Sequence, residues 1–220
     1  MGVTIKVWEE LLELHYTGAA YWKKKGILLI SDLHLGKITH FRKHGAAVPH
    51  IAILKNIERL DQLISEYNPQ LICFLGDLFH SHLNPEWDLF AQWAKMQKAK
   101  LILIRGNHDI ISPEHYKDLG IRCQDRWNIG PFIFSHEPEI DDKTFNISGH
   151  IHPAVQLAGP GKQRLKLPCY FQKPNQLILP AFGAFTGTHT VSPEPQDSVF
   201  VLAEGEVIYL NPETLVAFSV

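Results

Sequence analysis

Apolar and polar positions alternate along the first half of the chain in a regular rhythm. Short apolar runs predict buried strands, and these are Ile27–Ile30, Leu71–Leu75 and Lys100–Ile104. Between the first two, apolar residues recur three and four positions apart and predict a helix from about His50 to Glu66. Asn84 and Pro85 then predict the start of a second helix that ends near Gln97. The alternation of strand and helix predicts an α/β fold with a parallel sheet.

The flanking segments have a different pattern. Before Ile27, short strands are predicted at Thr4–Trp8, Leu11–Tyr16 and Ala20–Trp22, followed by a polar turn from Lys23 to Gly26. After about residue 120, helical patterns are weak and short alternating runs predict a second, more antiparallel sheet packed on the first. These runs are Ile121–Cys123, Pro131–Phe134, Phe145–Ser148, Arg164–Phe171, Gln176–Leu179, Ser198–Ala203, Glu206–Leu210 and Leu215–Phe218.

Polar residues of metal-binding types follow the predicted strands. They form five groups: Asp32-x-His34, Gly76-Asp77, Gly106-Asn107-His108-Asp109, His136 and Gly149-His150-x-His152. If Asp32 and His34 are still extended, their side chains leave the same side of the strand. Open α/β sheets bind ligands at the carboxyl ends of their strands, where these groups are predicted to lie.

Each group alone has an ordinary explanation. Asp32 can cap a turn, His34 can pack at the surface, and a single histidine on an apolar strand is more often a satisfied core residue. Five such groups in one chain are hard to attribute to chance. Together they suit two-metal hydrolysis of a phosphate ester. A mixture of carboxylate, imidazole and amide oxygen suits Mn²⁺, Fe²⁺, Zn²⁺ or Co²⁺ and suits Ca²⁺ poorly.

Composition supports this interpretation without identifying a substrate. The 220 residues are 45% hydrophobic and 20% charged, which is ordinary for a globular domain, and the chain is expected to form one domain over residues 1–220. Thirteen histidines are an excess that metal ligation would explain. The formal net charge of −2 excludes a global basic field, so nucleic-acid binding would need a local basic patch.

The cysteines and the first residues bear on the cellular compartment. Cys73, Cys123 and Cys169 are widely spaced and lie in or beside apolar runs, so we expect free thiols in a reducing compartment. Residues 1–10 contain no apolar core of a signal peptide, and no apolar run has the length of a membrane span. We therefore expect a cytoplasmic protein without membrane association.

The five groups resemble the motifs of the calcineurin-like metallophosphoesterase superfamily. Four longer stretches are similar to its bacterial ligase-associated branch, described as DNA-damage-response endonucleases: Asp32-Leu33-His34-Leu35-Gly36-Lys37, Phe41-Arg42-Lys43-His44-Gly45, Gly76-Asp77-Leu78-Phe79-His80-Ser81 and Leu179-Pro180-Ala181-Phe182-Gly183-Ala184-Phe185-Thr186-Gly187. The resemblance implies an αββα sandwich of two mixed β-sheets flanked by helices. Its dimetal site would lie at the carboxyl ends of the strands.

The resemblance also implies a role for each residue. Asp32, His34 and His152 would bind a first metal ion, and Asn107, His136 and His150 a second, with Asp77 bridging both. His108 would face the substrate and protonate the leaving oxygen. Asp109 stands where many relatives have glutamate and would orient His108 through a hydrogen bond. Two divalent ions are implied, with Mn²⁺ expected first and Fe²⁺, Zn²⁺ or Co²⁺ as alternatives.

Further residues near the predicted ligands have two open interpretations. Lys37, His40, Arg42 and His44 would either contact the phosphates of a nucleic acid or form a solvated loop. His80 and His82 follow Asp77, and one of them would hydrogen-bond a ligand while the other lies at the surface. His80 is also a candidate contact to the substrate. Phe182 and Phe185 would stack a base or, more simply, pack in the core.

Three functions remain open at this stage. The branch resemblance implies a nuclease of DNA, working alongside a DNA ligase and a helicase, with the oligomeric state undetermined. The near-neutral charge favours instead a phosphodiesterase or phosphatase of small molecules such as nucleotides or nucleotide-linked lipids, because DNA binding rests on phosphate neutralisation. A catalytically silent scaffold would show gaps among the ligands, and this chain shows none.

Overall fold

The computed structural model describes residues 2–37, 51–80, 82–159, 163–184 and 186–211, with the backbone alone for residues 51–53. Three α-helices are described: α1 (Ile51–Tyr67), α2 (Pro85–Met96) and α3 (Pro113–Asp118). The strands are β1 (Val3–Val7), β2 (Glu10–Leu14), β3 (Ala20–Trp22), β4 (Ile27–Ile30), β5 (Leu71–Leu75), β6 (Lys100–Ile104), β7 (Arg122–Gln124), β8 (Arg126–Ile129), β9 (Phe132–Ser135), β10 (Phe145–Ser148), β11 (Pro153–Ala158), β12 (Arg164–Lys173), β13 (Gln176–Ile178), β14 (His189–Thr190), β15 (Ser198–Ala203) and β16 (Glu206–Leu210).

The first sheet has the strand order β1-β2-β3-β4-β5-β6-β7. Strands β1 to β4 pair antiparallel, and β4 to β7 pair parallel, as the alternation of strand and helix predicts. Ile30 is paired with Phe74, and Leu75 with Ile104, so β4, β5 and β6 end side by side. The polar groups that follow these strands therefore meet at one edge of the sheet.

The second sheet runs in the order β14-β11-β12-β13-β10-β9-β8, and β15 and β16 extend it from β12. It is mixed: β10 pairs parallel with β9 and β13, and β11 pairs parallel with β14, while the remaining pairs are antiparallel. Because β9 and β10 are parallel neighbours, the residues that follow them, His136 and His150, emerge at the same edge.

Side-chain alternation along β4 divides the core into two layers. Ile27 and Leu29 face the second sheet in a shared apolar cluster, while Leu28 and Ile30 face the helices. Residues of α1, α2 and α3 all pack in this helix-facing cluster. The predicted α/β class with two mixed sheets is confirmed, and the helices within the described residues lie on the side of the first sheet.

Some local predictions differ from the structure. Lys23–Lys25 form a short 3-10 helix, which ends at Gly26 with a φ of +63°. Strands β8 and β14 and helix α3 are not predicted from the sequence, because they are short and largely exposed or half-exposed, so their hydrophobic patterns are weak. Strand β11 is also not predicted, because its three buried residues are consecutive and do not alternate with exposed ones. The strand predicted at Leu215–Phe218 lies outside the described residues.

The prediction that the cysteines are unpaired is confirmed. Cys73 and Cys169 are buried, Cys123 is half-buried, and all three are free thiols. Across the part of the chain that the structure describes, the helices are too short or too polar to cross a membrane.

One buried tyrosine joins the two sheets and allows a stability prediction. The Tyr170 hydroxyl on β12 lies 2.7 Å from the His15 carbonyl and 2.6 Å from the Ala19 carbonyl, both between β2 and β3. Tyr170→Phe removes this donor, and we expect a loss of about 1 kcal/mol in the free energy of unfolding. Urea denaturation measures it. The control Tyr209→Phe, at a position 53% exposed, should leave stability unchanged. Equal stability of both variants would contradict the assigned role.

Candidate metal centre

The loops that follow β4 and β5 are paired through their backbones. The Asp32 N–H donates to the Gly76 carbonyl (3.2 Å), and the His34 N–H donates to the Asp77 carbonyl (2.9 Å). This pairing continues to Leu35, whose N–H donates to the Leu78 carbonyl (2.9 Å). The predicted ligands on these two loops are thus held side by side beyond the end of the sheet.

The backbone at the site departs from extended geometry. Five of the predicted ligands have left-handed φ angles between +49° and +68°: Asp32, His34, Asp77, His150 and His152. The condition under which Asp32 and His34 would leave the same side of the strand does not hold, because β4 ends at Ile30 and both residues have left-handed backbone angles. Each such residue costs on the order of 1–2 kcal/mol, and strain of this kind concentrates at functional sites.

A first cluster joins Asp32, His34 and His152. The Nδ1–H of His152 donates to the Gly187 carbonyl (3.1 Å), which can only accept, so its Nε2 presents a lone pair. That Nε2 lies 3.1 Å from Asp32 Oδ1 and 3.5 Å from His34 Nε2. Asp32 Oδ1 is buried and receives no hydrogen bond from the described residues. A buried carboxylate oxygen that lacks a hydrogen-bond donor and lies beside two imidazole nitrogens fits a bound cation.

A second cluster joins Asn107, His136 and His150. The Nδ1–H of His136 donates to the Leu75 carbonyl (3.0 Å), so its Nε2 is also an acceptor. This Nε2 lies 3.1 Å from Asn107 Oδ1 and 3.0 Å from His150 Nδ1. The three side chains again direct an amide oxygen and imidazole nitrogens at one point, and these atom types suit a second cation.

Asp77 lies between the two clusters. Its Oδ2 is 3.7 Å from His34 Nε2, and its Oδ1 is 3.5 Å from His136 Nε2. Both Asp77 and Asp32 are buried, and buried carboxylates need a counter-charge. The structure thus brings all seven predicted ligands together, with Asp77 in a position to bridge. This donor set fits two divalent ions, and it leaves their identity open.

The charge states of the site suit metal ligation. Burial lowers the pKa of His34 to about 3, so this imidazole is neutral at physiological pH. Burial acts to raise the pKa of Asp32, but its contact with the His152 ring more than offsets this effect and holds that pKa below its ordinary value. Asp32 is therefore ionised while the neighbouring ring offers a lone pair.

Close packing at the site requires glycine in the sequence motifs. Gly76 has a φ of +84°, and a Cβ there would overlap the His136 ring. A Cβ at Gly106 would overlap the Asp77 carboxylate. Gly76 is thus needed for loops of the two sheets to approach, and Gly106 for the loops after β5 and β6 to do so.

His108 lies beside the first cluster, as the resemblance implies. Its ring stacks on the His80 ring with centroids 4.5 Å apart and lies 5.7 Å from the His34 ring. Its backbone N–H donates to Asp77 Oδ1 (2.9 Å). The imidazole is therefore placed next to the metal-binding atoms, and His80 supports it through stacking.

The Asp109 carboxylate binds backbone groups instead of forming the expected hydrogen bond to His108. Its oxygens accept the backbone N–H groups of Phe79 (3.0 Å) and Gly106 (2.8 Å). Asp109 thus joins the loops after β5 and β6. By accepting these two N–H groups, it avoids the free-energy cost of leaving them unsatisfied in a half-buried loop. Burial raises the pKa of Asp109 to about 6.

The other predicted contacts are only partly described. Lys37 is half-buried at the end of the first loop, and burial lowers its pKa. His40, Arg42 and His44 lie outside the described residues. Phe182 is buried in the core, as the simpler interpretation expects.

Two positioning residues are not predicted from the sequence. Glu86, in the first turn of α2, accepts the Gly36 N–H (2.7 Å), and Asn84 caps that helix by accepting the Glu86 N–H (2.8 Å). Arg59 of α1 donates to the carbonyls of Phe182 (2.8 Å) and Thr17 (2.7 Å). Both residues bind backbone groups of segments that border the site. In the sequence, each resembles an ordinary charged residue on a solvent-exposed helix face, so neither could be recognised there.

The chain was compared with known proteins. The family profile described as calcineurin-like phosphoesterase matches residues 26–210. The structure is similar to the nuclease MPE of Pseudomonas putida, with a TM-score of 0.81, 29% identity, and coverage of 96% of this chain and 100% of that chain. The E. coli phosphoesterase Yfce gives a TM-score of 0.43 and 15% identity over 84% of this chain and 98% of that chain. The comparison with curated proteins finds no significant match.

The family assignment follows from the match together with the geometry. The matched region includes every predicted ligand, and these side chains form two clusters joined by an aspartate. The chain belongs to the calcineurin-like phosphoesterase family.

Proposed function

We propose that this phosphoesterase is a metal-dependent nuclease that hydrolyses phosphodiester bonds in DNA. The observation that carries the proposal is the similarity to the Pseudomonas putida nuclease, at 29% identity over 96% of this chain. The two clusters described above supply the chemistry. As in the sequence-based prediction, the proposed biological context is DNA repair in the cytoplasm, together with a DNA ligase and a helicase.

The residues divide the work between binding and proton transfer. Asp32, His34 and His152 would hold one divalent ion, the second cluster would hold another, and Asp77 would contact both. Two such ions, which we propose to be Mn²⁺, activate water and neutralise phosphoryl charge when bound. His108 would donate a proton to the leaving oxygen, because its ring lies beside the first cluster and its backbone is tied to Asp77.

Cleavage of circular single-stranded DNA tests the proposal. A circle has no ends, so linear product formed by the purified protein with Mn²⁺ would identify an endonuclease, which is the result that we expect. A sample stripped of metal with a chelator is the control and should leave the circle intact. An intact circle in both samples would contradict endonuclease action.

A second candidate is a phosphodiesterase of small molecules. The formal net charge of −2 favours it, because binding of long DNA depends on phosphate neutralisation by basic residues. Turnover of an aryl phosphodiester without cutting of linear or circular DNA would support this candidate. A protein that turns over neither substrate and binds no metal would instead be a silent scaffold.

A further inference from the structure

A cleft of about 250 Å³ opens between the loops that follow β5 and β6. It is lined by His82, Leu83, Ile110, Ile111, Ser112 and His115. None of these residues belongs to the metal clusters or carries a role in the proposed chemistry. The cleft is therefore a separate feature of this surface.

The cleft adjoins the proposed catalytic site along the two loops that form its walls. The stacked rings of His80 and His108 lie on the same two loops, and each wall of the cleft begins two residues further along. The Ile110 N–H also donates to the His108 carbonyl (2.8 Å). Since successive Cα atoms are 3.8 Å apart, the Ile110 backbone lies within about 8 Å of the His108 backbone. An occupant of the cleft would lie next to a phosphate bound at the site.

The lining suits a flat, uncharged, aromatic group. Leu83 is 48% exposed and Ile110 54% exposed, so both present apolar surface to an incoming ligand. The two histidines and Ser112 add polar atoms, and Trp87 packs against His115 with centroids 6.0 Å apart. The six lining residues include no lysine or arginine that would pair with a phosphate. A nucleobase combines apolar faces with polar edges and matches this lining.

We infer that this cleft binds one nucleobase of the substrate while the adjoining phosphate lies at the metal clusters. The inference rests on the proposed function in so far as the substrate is an ester of a nucleotide. The cleft is smaller than the 300–1,000 Å³ typical of sites for drug-sized ligands, so it holds a single base and not a run of stacked bases.

Calorimetric titration of the Mn²⁺-loaded protein tests the inference. The two probes are deoxyadenosine 5′-monophosphate and 2-deoxyribose 5-phosphate, which share a phosphate and a sugar and differ by the base. We expect the nucleotide to bind the wild-type protein at least about tenfold more tightly than the sugar phosphate does, because stacking of one base contributes an affinity gain of that size. The double variant Leu83→Ser/Ile110→Ser should bring the two dissociation constants to within about twofold. Its affinity for the sugar phosphate should not change.

A matched control and the remaining outcomes separate the two proposals. Ile140→Ser changes an isoleucine that is 85% exposed and outside the cleft, and it should preserve the tenfold difference. Equal or absent binding of both probes by the wild-type protein, or a difference that survives in the double variant, would overturn the inference. If the wild-type protein binds the nucleotide more tightly than the sugar phosphate but leaves DNA intact, the base site is supported and the nuclease proposal is contradicted.

Discussion

Asp77→Asn is expected to lower kcat/KM for an aryl phosphodiester by roughly a thousandfold or more. Loss of a residue that only supports a metal ligand already lowers metal affinity or activity by about 10- to 100-fold, and Asp77 is itself a predicted ligand. The two Asp77 oxygens face one histidine from each cluster, so this single side chain serves both. Asparagine keeps the shape of the side chain but replaces one oxygen with an NH₂ group, which cannot ligate a metal ion. The bound metal should fall below two ions per chain.

Kinetics and elemental analysis of the same preparation measure both effects. Asp197→Asn is the matched control, because Asp197 is also buried and its Oδ2 also accepts a backbone N–H, from Glu194 at 2.9 Å. It lies in the turn before β15, and its substitution should leave both turnover and metal content unchanged. An Asp77→Asn protein with full activity and two ions would show that Asp77 does not bridge.

His108→Ala is expected to slow DNA cleavage by about 10²- to 10⁴-fold, the range that loss of a general acid produces. An aryl oxide leaves without a proton, so turnover of an aryl phosphodiester should fall far less, by no more than roughly tenfold. The metal content should be unchanged, because the side chain of His108 lies outside both clusters. This contrast between leaving groups separates proton donation from a structural role.

Single-turnover rates on both substrates provide the measurement. His189→Ala, which removes an exposed imidazole on β14, is the control and should match the wild-type protein on both. Equal losses of rate on DNA and on the aryl ester would contradict proton donation by His108. A loss of bound metal in His108→Ala would assign the residue to the metal centre instead.

The strands and the ligands were accessible from the sequence because both depend on local patterns. Buried parallel strands are covered on both faces and therefore form continuous apolar runs, such as Ile27–Ile30 and Leu71–Leu75. Loops at the carboxyl ends of such strands meet at one edge, so Asp32, Asp77 and Asn107 could be assigned to one site before any coordinates were known. The half-exposed strand β8 carries no comparable pattern.

The positions of individual side chains were decided by tertiary contacts. The left-handed backbone at Asp32 and His34 depends on pairing with the neighbouring loop, through the carbonyls of Gly76 and Asp77. Asp109 binds the backbone of two loops and not His108, because N–H groups brought together by the fold lie within its reach. Neither arrangement is encoded in spacing along the chain.

The sequence by itself therefore determined the fold class, which follows from short-range periodicity, and the family resemblance, which follows from local motifs and implies the seven predicted ligands. Only the tertiary structure decided the left-handed backbone at five of these residues, the distances between their side chains and the backbone groups that fix the histidine tautomers. It also decided that a cleft of about 250 Å³ lies beside the loop of His108. These features depend on atoms that are far apart in sequence and meet only when the two sheets pack.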